Sequence, residues 1–374
     1  MRRMSGRSSG TADVIRVLYD GWPLVYQPAG PAALHLIELI EALPEQVQPA
    51  LALPGDLPAG RLPEAVEKII EPAADEPGGR LRWEQAILPA IVKRTRARLL
   101  HLTTLSAPLF SPVPCVISPA ASLSSGSRPS QRSRLSARLR ESLARGGLSA
   151  ARALLWPADL PSPGWSIPVF LVPPCTHSSF SIEQAGGPFD ALSLPESYIL
   201  VPGLPDDGGL LTLAKALRWI IAGAGEDWAV VTCDLPPAAA GRLAALIEAE
   251  DISAPLKSIQ INTPEERAGV FQQAGVVLHV APVLPWGDSL LQTLACARPL
   301  AALETPHSDA RVGPAGYLAP VGDARALGAA ALTLIVEEEV REQLVQAARQ
   351  RALNWQSAQF SERLLDIYQQ IVDN

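Results

Sequence analysis

The chain has 374 residues, 48% of them hydrophobic, so it exceeds what one hydrophobic core usually supports and has apolar surface for two. Its net charge of −7 disfavours nucleic acid as a partner, because binding a phosphate backbone requires a basic surface. No stretch reaches the length of a membrane span, and the N-terminus lacks the apolar core of a signal peptide. Four dispersed cysteines, each in or beside an apolar run, are typical of buried free thiols. We therefore predict a cytoplasmic protein.

The first half of the chain alternates between strands and helices after a disordered basic tail, 1–12. Strands are predicted at 14–19, 47–53, 99–102, 113–117 and 169–172, and helices at 31–43 and 86–97. Pro31 suits a helix start, where its missing N–H costs nothing. Such alternation is typical of a parallel sheet covered by helices.

A Ser- and Arg-rich stretch, 120–152, interrupts this alternation. We predict a mobile loop over 122–134 and a basic helix over 135–148, which carries Arg138, Arg140 and Arg145. One interpretation is peripheral contact with the inner face of a membrane through this helix. The favoured alternative is an ordinary solvated helix face.

A second alternation follows a linker at 181–195. Its strands are predicted at 198–201, 228–232, 258–261, 276–279 and 300–303, and its helices at 210–222, 236–249, 264–274, 289–297 and 324–337. Two terminal helices are predicted at 340–353 and 359–372. The predicted units are an N-terminal domain (13–180), a C-terminal domain (196–355) and a last helical segment (356–374), with a ligand cleft between the domains.

Six segments, distributed over both halves of the chain, resemble segments of a known protein family in their sequence, order and spacing. They are 82–89 (RWEQAILP), 99–101 (LLH), 172–175 (VPPC, where a V-P-x-G turn is usual), 263–274, 290–299 (LLQTLACARP, similar to V-L-E-A-M-A-C-G-x-P) and 316–323 (GYLAPVGD). Together they resemble glycosyltransferase family 4 over nearly the whole chain.

This resemblance implies the GT-B architecture, an α/β fold of two Rossmann-like βαβ domains that face an inter-domain cleft. The last helix is expected to cross back to the N-terminal domain. It also implies transfer of a sugar from a nucleotide donor with retention of configuration and without a metal or other cofactor. The donor side is the C-terminal domain and the acceptor side is the N-terminal domain.

The family's donor-binding residues are mostly replaced. By the resemblance, Gln292 stands where a Glu contacts the ribose, and Leu284 stands where a Glu contacts the sugar. Asp288, between Gly287 and Ser289, is expected to cap the helix that would receive the diphosphate. A carboxylate there repels a phosphate.

Other cleft positions differ as well. After Gly203 the loop carries Asp206 and Asp207 where the family has Arg and Lys, so the charge is reversed and no cation is expected. In the family, a His follows the strand that ends here at 117, and this chain has no His there. Of the family's phosphate-facing glycine loop near the N-terminus, Gly30 is the remnant. His307 is a further candidate in the cleft, whereas the dispersed histidines do not suggest a metal site.

Trp286 has two interpretations, because an aromatic face suits a base or a sugar. It either stacks on a ligand or fills the vacated donor site, and the second is favoured.

Three functional hypotheses follow from these replacements. The first is a pseudo-glycosyltransferase, a pseudoenzyme with a binding or regulatory role. The second is an active retaining hexosyltransferase with an altered donor site, and the third is a non-catalytic carbohydrate-binding protein. A nucleotide sugar or a carbohydrate is the expected small-molecule partner.

Overall fold

The computed structural model describes residues 14–57, 61–120, 142, 146–181, 192–225, 227–355 and 357–373. The predicted tail and nearly all of the predicted basic helix, with Arg138, Arg140 and Arg145, lie outside the described residues and stay predictions. No helix in the described part is long and apolar enough to cross a membrane.

The N-terminal domain contains a seven-stranded sheet in the order β3-β2-β1-β4-β5-β6-β7. Every neighbouring pair is parallel. Its strands are β1 (Ile15–Asp20), β2 (Val47–Leu53), β3 (Glu67–Ile70), β4 (Leu99–Leu102), β5 (Cys115–Ile117), β6 (Ala153–Pro157) and β7 (Val169–Val172). The central strands are buried on both faces because helices cover both sides of the sheet.

Helices of this domain are α1 (Trp22–Tyr26), α2 (Pro31–Glu41), α3 (Pro77–Arg82) and α4 (Leu88–Thr95), and a π-helical turn at Trp83–Ile87 joins the last two. Helix α2 begins as predicted, with Gly30 as N-cap and Pro31 in its first turn. The helix predicted over 86–97 starts earlier, because the π-helical turn continues α3 into α4.

The C-terminal domain contains a six-stranded parallel sheet in the order β10-β9-β8-β11-β12-β13. Its strands are β8 (Tyr198–Val201), β9 (Ala229–Thr232), β10 (Leu256–Ser258), β11 (Val276–His279), β12 (Leu300–Leu303) and β13 (Tyr317–Ala319). Its helices are α5 (Asp207–Ala224), α6 (Pro237–Ala249), α7 (Pro264–Gln272), α8 (Ser289–Ala295), α9 (Pro306–Val312), α10 (Ala324–Val336) and α11 (Glu338–Ala352).

The last helix, α12 (Ser357–Val372), returns to the N-terminal domain as expected. Phe360, Leu364, Ile367, Tyr368 and Ile371 are buried in the core that also contains β1 and α2. The four cysteines are buried and free, which confirms their interpretation as core thiols.

Some elements were predicted wrongly. β3 was missed because Glu67 and Lys68 leave an edge strand mostly exposed. β6 was missed because its Ala-Leu-Leu sequence also suits a helix. The strand predicted at 258–261 lies at Leu256–Ser258, where it pairs with β9. The segment around His307, expected as a loop, is helix α9 with a Thr305–Ser308 capping box.

Candidate functional site

The candidate site is the cleft between the carboxyl ends of the two parallel sheets. Each strand order reverses at one place, between β1 and β4 and between β8 and β11. Open α/β sheets bind ligands at such switch points. Gly203 follows β8 and Ala281 follows β11, so the residues predicted for the donor side meet at the second switch point.

Trp286 fills this cleft from the C-terminal side. Its side chain is 1% exposed and packs within the hydrophobic core of the N-terminal domain. The indole stacks on His35, with ring centroids 4.8 Å apart and planes inclined at 17°, and meets Phe360 edge-on. Its Nε1 donates a hydrogen bond to the Leu155 carbonyl at 3.2 Å. Of the two interpretations of Trp286, this packing favours the second, in which the side chain fills the vacated donor site.

The His35 ring belongs to a buried chain of polar groups in the N-terminal domain. His35 Nε2 lies 2.8 Å from Ser118 Oγ, which lies 2.7 Å from His101 Nε2. His101 Nδ1 contacts the Tyr368 hydroxyl, which lies 3.2 Å from that of Tyr19. Burial lowers the pKa of His35 well below its ordinary value and that of His101 to about 3, so both rings are neutral near pH 7. The sequence indicated no imidazole beside Ser118, yet α2 supplies one.

Gly287 brings the two backbones together. Its φ of 61° lies in the left-handed region, and a Cβ built on it would lie 2.1 Å from the carbonyl oxygen of Pro31. Only glycine permits this approach, because any side chain would overlap the first turn of α2.

Asp288 is the N-cap of α8, as predicted. Its Oδ1 accepts from the Leu290 N–H at 2.6 Å, and its Oδ2 accepts from the Leu284 N–H. Ser289 Oγ lies 3.1 Å from His279 Nε2. The buried carboxylate thus occupies the Leu290 N–H in the first turn of α8, a donor that a phosphate could otherwise use.

A buried ion pair also joins the domains. Arg311 of α9 donates to both carboxylate oxygens of Asp159, which follows β6, at 2.8 and 3.2 Å. Its Nη1 donates to the Leu284 carbonyl and lies 3.6 Å from Asp288, and its Nη2 also donates to the Pro285 carbonyl. Arg311 therefore fixes both the inter-domain contact and the loop that carries Trp286.

Arg267 of α7 brings a cation into the cleft from an element other than the loop after Gly203. Its guanidinium donates to Asp234 at 2.5 and 3.0 Å, and its Nε donates to Gln292 Oε1 at 2.8 Å. Asp234 also accepts from the Gly203 N–H at 2.6 Å. Burial raises the pKa of Asp234, but Arg267 outweighs it and holds that pKa below its ordinary value. The positive charge is therefore already neutralised.

Gln292 carries this chain of contacts across the cleft. Its Nε2 donates to Glu38 Oε1 of α2 at 3.1 Å. Burial raises the pKa of Glu38 to about 8, although the Gln292 hydrogen bond and the Arg267 charge lower it. Gln292 is thus engaged on both sides by the protein itself.

The remaining predicted residues are arranged around this closed cleft. Asp206 caps α5 by accepting from the Gly209 N–H at 2.7 Å, so the acidic loop has a structural use. Leu284 lines the cleft cavity, whereas His307 lies in the first turn of α9 and lines none of the cavities described.

Two small cavities remain between the domains. One, of about 180 Å³, is lined by Pro31, Gly203, Arg267, Leu284 and Asp288, and the other, of about 30 Å³, adjoins Glu38 and Gln292. Small-molecule sites typically enclose about 300–1,000 Å³. Both volumes lie below this range.

A larger cavity, of about 370 Å³, lies at the switch point of the N-terminal sheet. Arg80 of α3 lies in its wall, nine-tenths buried and paired with Asp20 and Glu84. Its Nη2 also reaches Thr104 at 3.3 Å, whereas its Nη1 is buried with no hydrogen-bond partner. Sequence reasoning missed this cavity, because residues from three separate segments form it.

No group of three or more His, Cys, Asp or Glu side chains in the described ranges could hold a metal ion.

Solved structures of glycosyltransferases have the same two-domain arrangement. WaaG, a glycosyltransferase involved in lipopolysaccharide biosynthesis, is 14% identical at a TM-score of 0.70, with 95% of this chain and 99% of WaaG covered. HepE from Anabaena, solved with UDP and glucose, is 16% identical at 0.68, with 95% and 99% covered. A Rickettsia africae glycosyltransferase is 13% identical at 0.65, with 97% and 100% covered.

No protein-family model matches the chain, and no curated protein matches its sequence. The structural similarity concerns the fold alone, and it confirms the predicted GT-B class.

Proposed function

We propose that this protein is a pseudo-glycosyltransferase: it keeps the GT-B fold, has lost transfer from a nucleotide sugar, and acts by binding a partner or a carbohydrate. The observation that carries the proposal is the occupation of the donor cleft by the chain's own side chains. Trp286 fills the space between the domains, and Asp288 accepts from the Leu290 N–H in the first turn of α8.

Charge supports the same proposal. A transferase must stabilise the leaving diphosphate with positive charge or free N–H donors. Arg267, the cation beside Gly203, is held by Asp234 and Gln292. A diphosphate would have to displace a carboxylate from a buried guanidinium, which costs several kcal/mol.

Calorimetry of the purified protein against UDP, GDP, ADP and their sugar conjugates tests this proposal. We expect no binding, with the same titration of HepE by UDP as the positive control, since that protein has been solved with UDP. Selective binding of one nucleotide at micromolar strength would instead support an active transferase with an altered donor site.

A second candidate function, carbohydrate binding without turnover, is favoured by the cavity at Arg80. Sugar hydroxyls pair with planar polar groups, and Arg80 Nη1 is a buried donor that lacks an acceptor. Thr104, Ser106 and the exposed Gln27 also line the cavity. No metal or other cofactor is needed for such binding.

A blocking variant tests the carbohydrate site. Gln27→Trp would fill the mouth of the cavity, and Gln369→Trp on the exposed side of α12 is the matched control. A glycan screen should give a ligand whose binding Gln27→Trp abolishes and Gln369→Trp leaves unchanged. Equal binding by both variants, or no binder in the screen, would remove this candidate.

A further inference from the structure

The largest cavity described lies outside the inter-domain cleft. It encloses about 1,010 Å³ in the C-terminal domain. Gly275 and Pro299 line it, and each directly precedes a strand, β11 and β12 respectively. Because the strands are parallel, this cavity is at the amino-terminal edge of the sheet, opposite the edge that carries Gly203 and Ala281.

Three arginines face this cavity, which we name the arginine cavity. Arg298 follows α8, and Arg341 and Arg349 lie two turns apart on α11, so the last two share one face of the helix. Arg341 donates to the carbonyls of Leu334 and Ile335. Positive charge therefore converges from two separate elements.

Arg298 and Arg349 lack partners. Within the described ranges, neither guanidinium has a hydrogen bond or an ion pair, and the Nε atom of each is buried without an acceptor. A buried donor without a partner is costly, and native proteins satisfy nearly all such groups.

The electrostatics of the arginine cavity agree with this arrangement. Burial lowers the pKa of Arg298, Cys296 and Tyr198 raise it, and the like charge of Arg349 lowers it. Glu339 and Glu342 also line the cavity, but both are exposed and neither pairs with Arg298 or Arg349. Arg298 and Arg349 thus line the same cavity without a carboxylate paired to either of them.

We propose that the arginine cavity binds the phosphate or pyrophosphate group of a small molecule. Guanidinium groups pair with phosphate oxygens through two parallel hydrogen bonds, and an anion in the cavity would offset the like charges of Arg298 and Arg349. The volume also suits a small molecule. This site is independent of the proposed function, because it is at the opposite edge of the sheet from the cleft.

Titration with inorganic phosphate and pyrophosphate at constant ionic strength tests the proposal. The wild type should bind pyrophosphate with a Kd below about 1 mM, and more tightly than phosphate, because three guanidiniums surround it. Arg298→Gln and Arg349→Gln should each weaken binding at least about tenfold. The control Arg218→Gln, an exposed arginine of the same domain, should bind like the wild type.

Thermal unfolding separates loss of the site from loss of the fold. Without an anion, Arg349→Gln should melt no lower than the wild type, because the substitution removes a like charge. Pyrophosphate should raise the melting temperature of the wild type and of Arg218→Gln only. An absence of binding by the wild type, or equal binding by all variants, would overturn the proposal.

Chemical modification gives a result that does not depend on how the variants fold. Phenylglyoxal modifies accessible arginines, and the modified peptides of the wild-type protein can be quantified by mass spectrometry. Pyrophosphate should protect Arg298 and Arg349 but not Arg218. Equal modification with and without pyrophosphate would likewise overturn the proposal.

Discussion

Trp286 of the C-terminal domain lies flat against His35 of the N-terminal domain, with 4.8 Å between their ring centroids. The tryptophan therefore belongs to one domain by sequence and to the core of the other by packing. Such an insertion couples the stability of the core to the closure of the cleft, and the first prediction follows from it.

Trp286→Ala should lower the free energy of unfolding by about 3–5 kcal/mol, because the substitution leaves a large cavity in the N-terminal core. Denaturant unfolding measures the change. Trp219→Ala is the matched control, since that indole is 51% exposed, and it should cost less than about 1 kcal/mol. Similar losses of unfolding free energy for the two variants would contradict the proposal that Trp286 fills the space between the domains.

The inter-domain ion pair should behave as a buried one. Arg311→Gln should cost about 3–5 kcal/mol, because it leaves the carboxylate of Asp159 without its partner. A double-mutant cycle with Asp159→Asn should give a coupling energy of about 0.5–3 kcal/mol. Arg94→Gln, which breaks an exposed pair with Glu71, should cost at most about 1 kcal/mol, and a coupling near zero for Arg311 would contradict the contact.

Glu38 makes stability depend on pH. Its pKa in the folded protein, about 8, lies above its ordinary value of 4.5, so between these values the folded state binds more protons than the unfolded state. The contribution of Glu38 is therefore fully present below pH 4.5 and is lost as the pH rises to 8. Glu38→Gln should flatten the stability profile in this window and make the protein more stable than the wild type above pH 8.

Unfolding measured from pH 4.5 to pH 9 checks this prediction. The control is Glu45→Gln, an exposed residue just beyond α2, which should leave the profile as it is in the wild type. A Glu38→Gln profile that runs parallel to the wild type would show that Glu38 does not titrate in this range.

Replacing Gln292 with Glu should destabilise the protein. Gln292→Glu places a second carboxyl group about 3 Å from Glu38, and Arg267 is already paired with Asp234. We expect a loss of about 1–3 kcal/mol above pH 8, where Glu38 is ionised. Glu38→Gln added to the same variant should recover most of this loss, and an unchanged loss in the double variant would contradict the contact across the cleft.

Local features of the cleft could be predicted from the sequence. The contacts that join the two domains across the cleft could not. Asp288 was recognised as an N-cap because its partners, Leu284 and Leu290, are within four residues in the chain. Glu38 and Arg267 were missed, because a polar residue on a helix gives no sign of which distant element its inner face meets. The order of strands and helices was mostly recovered, since the apolar runs are long and the turns contain Pro and Gly.

The absent side chain at Gly287 has a consequence of its own. The backbone of Gly287 packs directly against the carbonyl of Pro31, with no side chain between them. This contact sets the distance between the two domains at position 287. Gly287→Ala would place one methyl group against the Pro31 carbonyl and force the two domains apart. The residues of the ion pairs and the indole of Trp286 would be unchanged. A single substitution can thus change the opening of this molecule without altering any polar side chain that lines it.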